Sequence, residues 1–145
     1  MDKFLQAAYD QAVKSYNEGG IPIGSVLVHN GEIIGEGHNQ RVQKGSAILH
    51  GEMDALENAG RLPAAVYRQC TIYTTLSPCS MCSGTILLYG IPKVVIGENL
   101  TFMGEENWLK EKGVEVELAD SADCRKLMEK FIREKPELWN EDIGV

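Results

Sequence analysis

Positive charge is scarce in this chain: 14 Lys and Arg stand against 21 Asp and Glu, a formal net charge of −7 over 145 residues. Affinity for a polynucleotide grows from basic side chains that neutralise phosphates, so this balance opposes a nucleic-acid partner. Long apolar runs are absent too. No stretch reaches the roughly eighteen residues of a membrane span, and Met1-Asp2-Lys3-Phe4 passes straight into an amphipathic pattern without a signal-peptide core. The expectation is a cytoplasmic protein with no membrane partner. Repeats, low-complexity tracts and linkers are missing, and 145 residues with 43% hydrophobic content suit one core. A single domain over residues 1–145 is expected. With only four cysteines and no sign of secretion, a disulfide framework is disfavoured, so a Cys-x-x-Cys pair points to metal or redox chemistry.

The patterning that is present reads as α/β. Leu5, Ala8, Tyr9, Ala12, Val13 and Tyr16 follow helical spacing, with Asp2 as cap and Gly19-Gly20 as stop. Ser25–His29 and Glu32–Gly35 flank Asn30-Gly31, the dipeptide suited to a type I′ hairpin. Residues 37–45 read as a loop and Ser46–Asn58 as a second helix. Thr71–Thr75 reads as a strand, followed by Ser77 as N-cap, Pro78 at the first helical position and a helix to about Tyr89. Lys93–Gly97 and Val114–Leu118 read as strands around a short helix at 105–111, and Asp120 caps a last long helix. Strand, helix, strand succession requires crossovers. A three-layer α/β/α fold follows, with a mixed five-stranded sheet, an antiparallel N-terminal hairpin and the last three strands parallel.

Two clusters carry chemistry. His50-Gly51-Glu52 is followed, after twenty-five intervening residues, by Pro78-Cys79-Ser80-Met81-Cys82. This is the established signature of zinc-dependent deaminases. Zinc prefers imidazole and thiolate donors, and three protein ligands leave a fourth position for water. His50, Cys79 and Cys82 supply three. Two cysteines three apart at a helix start share one face, and the positive helix end favours their thiolates. Glu52 is then the proton-transfer group that activates water and protonates the leaving amine.

Other readings stand beside this one. The cysteines could be a redox pair, although such a motif needs no His-x-Glu. Cys70 or Cys124 could complete a closed structural zinc site, but each falls where a small buried hydrophobe fits. Glu52 could be a surface carboxylate of a non-catalytic zinc module. His29 and His38 are given no catalytic role.

Beyond the zinc signature, the chain resembles fungal-type cytosine deaminase. The resemblance is carried by Gly37-His38-Asn39 with Gln43–Ala47, by Leu56-Glu57-Asn58, by Tyr89–Pro92 through Gly97-Glu98-Asn99, and by the terminal Glu141-Asp142-Ile143-Gly144. It implies deamination of cytosine to uracil in pyrimidine salvage, acceptance of 5-fluorocytosine, one zinc ion per chain and a homodimer. It also implies that residues 136–145 form a lid, that Asn39 and Asp142 contact the base, that Gly51 presents backbone beside it, and that Phe102 and Trp139 form an aromatic gate. Trp139 could instead merely pack the last segment onto the core. Guanine or another base remains an alternative substrate. A tRNA adenosine substrate is opposed by the acidity, with only Arg41, Lys44 and Arg61 as a candidate basic patch.

Overall fold

Asp2 accepts backbone N–H groups from Phe4 and Leu5 and so opens α1 (Lys3–Asn17), as expected for a short acceptor at an N-cap. The computed structural model describes residues 1–145. Strands β1 (Gly24–His29) and β2 (Glu32–His38) pair antiparallel through Asn30 (φ 50°) and Gly31 (φ 77°), the two positive φ angles of a type I′ turn. β3 (Cys70–Leu76) pairs antiparallel with β1, whereas β3, β4 (Lys93–Glu98) and β5 (Glu115–Leu118) run parallel. The sheet order is β2-β1-β3-β4-β5.

Helices cover both faces. α1 lays Ala8 against Val26 and Val28, and α7 (Ala122–Glu134) puts Met128 and Phe131 against Ile21, Ile23 and Leu76. Opposite them, α5 (Ser80–Tyr89) and α6 (Glu106–Glu111) bury Ile86 and Leu109 on Leu27, Ile72, Val94 and Ile96. α3 (Gly51–Ala59) shares this second face and packs most closely on β2. That approach needs a missing side chain: a Cβ on Gly37 would lie 2.5 Å from the Ala55 nitrogen. The expected α/β/α fold with its mixed sheet is observed. No helix is long and apolar enough to cross a membrane.

Several boundaries differ from the sequence reading. The second long helix begins at Gly51 and not at Ser46, because the Ser46 hydroxyl accepts from the Ile48 and Leu49 N–H groups and closes a local turn instead. The stretch read as a loop from 37 holds the end of β2 and one helical turn, α2 (Arg41–Lys44). α5 starts at Ser80, since the Ser77 hydroxyl donates to Glu106 Oε2 at 2.6 Å and caps nothing. Ser121, not Asp120, caps α7 by accepting from the Cys124 N–H. Two elements had no assigned type: α4 (Ala64–Tyr67) and, opening with Pro136 in its first turn, α8 (Pro136–Asp142).

Candidate metal centre and base pocket

His50 and Cys79 occupy equivalent places: each is the N-cap of its helix, with extended backbone at φ −65°, ψ 165° and φ −68°, ψ 178°. An N-cap projects its side chain beyond the helix end, so α3 and α5 present His50 and Cys79 to each other, and Cys82, one turn into α5, completes the group. His50 Nδ1 lies 3.5 Å from Cys79 Sγ and 3.7 Å from Cys82 Sγ, and all three donor atoms fall within 4.8 Å of one another. Tetrahedral zinc with bonds of about 2.3 Å to sulfur and 2.0 Å to nitrogen requires neighbouring donors roughly 3.6 Å apart. The donor set fits in both chemistry and spacing, and His50, Cys79 and Cys82 are positioned to hold a zinc ion. Cys70 and Cys124 are buried elsewhere as free thiols and add no donor to this set, so neither closes it as a fourth ligand.

Electrostatics separate the three donors. The Cys79 thiol is pulled down to about 4, chiefly by the hydrogen bond from Cys82 and then by the one from His50, against the effect of burial. Cys82 is pushed up because it is the donor to that thiolate and is fully buried. Burial alone would lower His50, but its hydrogen bond to Cys79 and the charges of Asp142 and Glu52 lift it to about 8. Glu52, 4% exposed on the first turn of α3, rises to about 7 through burial and the neighbouring Cys79 thiolate.

Above these groups lies a cavity of about 20 Å³, room for a single water, lined by His50, Glu52, Cys79, Ile23, Leu76, Ser77, Phe102, Trp139, Asp142 and Ile143. A far larger groove of about 560 Å³ between α1, β2 and α3 contains none of the zinc donors. Phe102 meets Trp139 edge-on, with centroids 6.0 Å apart and planes at 88°. Trp139 is also 6% exposed and belongs to the Ile21, Ile23, Leu76 core, so packing and pocket wall are the same contact. Phe102 is delivered by a turn fastened at both ends. Buried Glu98 accepts from the N–H groups of Leu100 and Thr101 and from the Thr101 hydroxyl, and Ser77 accepts from the Gly104 N–H at 2.9 Å.

Asp142 enters the site from α8. Its Oδ1 accepts from Asn39 Nδ2 at 3.0 Å and faces His50 Nε2 at 3.6 Å. Asn39 therefore joins the site through Asp142 and is not itself part of the cavity wall; Gly51 is buried and also absent from that wall, and a Cβ on it would lie 3.0 Å from the Ile23 carbonyl oxygen. Of the nine residues named from the sequence, the structure brings His50, Glu52, Cys79, Cys82, Phe102, Trp139 and Asp142 together, while Asn39 reaches them only through Asp142 and Gly51 lies off the cavity wall. Sequence reasoning missed Ile23, Leu76 and Ile143, which carry no chemical signal, Ser77, whose signal read as a helix cap, and Glu98, which was given no role of its own.

Comparison with known proteins agrees with this geometry. Over 143 residues the chain is 64% identical to the cytosine deaminase of Candida albicans, covering 98% of this chain and 95% of that protein. It is 39% identical over 142 residues to a tRNA-specific adenosine deaminase of Streptococcus pyogenes, covering 90% and 89% of the two. A structure from a study of tRNA:A34 deaminases that edit the wobble position superposes with a TM-score of 0.72 at 21% identity, covering 88% of this chain and 99% of that one, a likeness of fold. Residues 1–98, which contain all three zinc donors and Glu52, match the cytidine and deoxycytidylate deaminase zinc-binding region, and the chain belongs to that family of zinc-binding deaminases.

Proposed function

We propose that the protein hydrolyses cytosine to uracil and ammonia, and accepts 5-fluorocytosine in the same pocket. The observation that carries this is the 64% identity, across nearly the full length of both chains, to a cytosine deaminase. The net charge of −7 weighs against the tRNA substrate named for the more distant relative.

In this reading His50, Cys79 and Cys82 hold the zinc, which when bound supplies Lewis acidity that makes water a usable nucleophile at neutral pH. Glu52 takes a proton from the attacking water and passes protons to the ring nitrogen and the departing amine. Burial raises Glu52 above the ordinary carboxylate value in the metal-free chain, the direction that suits a group which must both take and return a proton. Cytosine and water enter and uracil and ammonia leave, with Glu52 returned to its starting state. Phe102 and Trp139 give the ring apolar walls and Asp142 presents its carboxylate to the polar edge, while Asn39, bonded to Asp142 behind the wall, reaches the base once the pocket opens to admit it. The Gly51 backbone lies beside the base. Residues 136–145 act as the lid that excludes water.

The working assembly is a homodimer. α5 leaves Leu88 75% exposed and Tyr89 41% exposed beside the groove of about 390 Å³ lined by Leu62, Ala64 and Leu87, an apolar face suited to a second copy. Sedimentation should give twice the 16.0 kDa chain mass, and a charged residue at Leu88 should reduce it to one. The protein is placed in the cytoplasm, in pyrimidine salvage. Steady-state turnover of cytosine by the zinc-loaded protein tests the activity; failure to release ammonia from cytosine removes it.

A further inference from the structure

Every side-chain polar contact between α8 and the rest of the chain is made by Glu141 or Asp142. Arg41 meets both. Its Nη1 lies 3.5 Å from Asp142 Oδ1 and its Nη2 lies 3.7 Å from Glu141 Oε1. The same side chain is fixed from behind: Nε donates to the Ala47 carbonyl at 3.1 Å, and the Arg41 N–H donates to Asn39 Oδ1 at 3.0 Å. Asn39 in turn donates to Asp142. Arg41, Asn39 and Asp142 thus form a closed ring of contacts, with one limb on the α2 loop and the other on α8.

The cavity beneath α8 has room for about one water, so a planar base enters only when α8 or the Phe102 loop moves aside. Trp139 and Asp142 share α8, which is separated from α7 by the single non-helical residue Lys135 (φ −137°, ψ 61°). Of the contacts that hold α8 down, the Arg41 limb is the charged one that does not involve a zinc donor. Its strength is unequally divided. Glu141 is 67% exposed and its contact is screened by water, whereas the Asp142 side chain is 2% exposed and needs a partner for its charge.

We infer that Arg41 is a positioning residue that latches α8 over the base pocket by tying Asp142 to the Asn39 loop. Arg41 touches no reacting atom; it acts by holding Asp142 and Trp139 in place. The fork of the guanidinium reaches Ala47, Asp142 and Glu141 together, which a lysine cannot do. This inference rests on the reading of that pocket as the base site.

The test uses zinc-loaded protein carrying Trp108→Phe, so that Trp139 is the only tryptophan, and reads both acrylamide quenching and cytosine kinetics. R41Q should raise quenching of Trp139 in the absence of substrate and raise KM by about tenfold, the scale of one lost charge-assisted hydrogen bond, with kcat little changed. R41K should fall between, and gives the same reading if R41Q does not fold. E141Q should change both readouts little. Wild-type quenching in R41Q, or a loss confined to kcat, overturns the latch; an E141Q effect as large as that of R41Q overturns its assignment to Asp142. The quenching arm needs no substrate, so a protein inactive on cytosine refutes the substrate reading and leaves the latch to be decided separately.

Discussion

His50 Nε2 stands 3.6 Å from Asp142 Oδ1 while His50 Nδ1 faces the two cysteine sulfurs, so the last helix of the chain reaches the back of a zinc donor at the N-cap of another. A carboxylate behind a ligating imidazole fixes its tautomer and ring orientation, and removing such a partner costs about 10–100-fold in metal affinity. Asp142→Ala should therefore weaken zinc binding by about that factor, measured by chelator competition, as well as raise KM for cytosine. Unchanged zinc affinity would show that Asp142 serves the base alone.

Glu52→Gln keeps the shape of a residue that supplies none of the donor atoms. It should retain one zinc per chain by metal analysis while kcat drops by about 10³-fold, within the usual range for a lost acid–base group. Turnover close to wild type would remove Glu52 from the proton path.

Zinc uptake should depend on pH in a definite direction. In the metal-free protein His50, raised to about 8, and Cys82, raised further, hold protons at neutrality, whereas Cys79, lowered to about 4, is already a thiolate. Binding must release those protons, so affinity should climb as pH rises through about 8. The stability that charged His50 gives the metal-free fold runs the opposite way: it is fully present below the ordinary imidazole value and lost as pH rises through about 8. Chelator competition and thermal melts across that interval read both; a flat affinity would contradict the assignment.

Trp139→Ala should cost about 3–5 kcal/mol of stability, because the ring belongs to the Ile21, Ile23 and Leu76 core as well as to the pocket wall. Phe102 is only partly buried, so Phe102→Ala should raise KM with a smaller loss in melting temperature. Equal stability losses in the two variants would refute this division.

The zinc donors were legible because their types and spacing are dictated by metal chemistry, and the sheet because alternation and crossover rules leave few topologies. The helix starts beside the donors were not. The second helix read from Ser46 and the third was capped at Ser77, whereas the caps are His50 and Cys79, metal-donor residues in extended backbone. Ser77 was diverted to buried Glu106, a contact between residues 29 positions apart that no local pattern encodes. Arg41 read only as part of a basic patch, since its partners arrive from α8, a hundred residues further on.

The central claim is a zinc-dependent deaminase with a pocket for free cytosine. Zinc-loaded protein should be incubated separately with cytosine, cytidine, guanine and adenine, and ammonia followed with time. Rapid release from cytosine alone is the predicted result; release from another of the four, or from none, would contradict the claim.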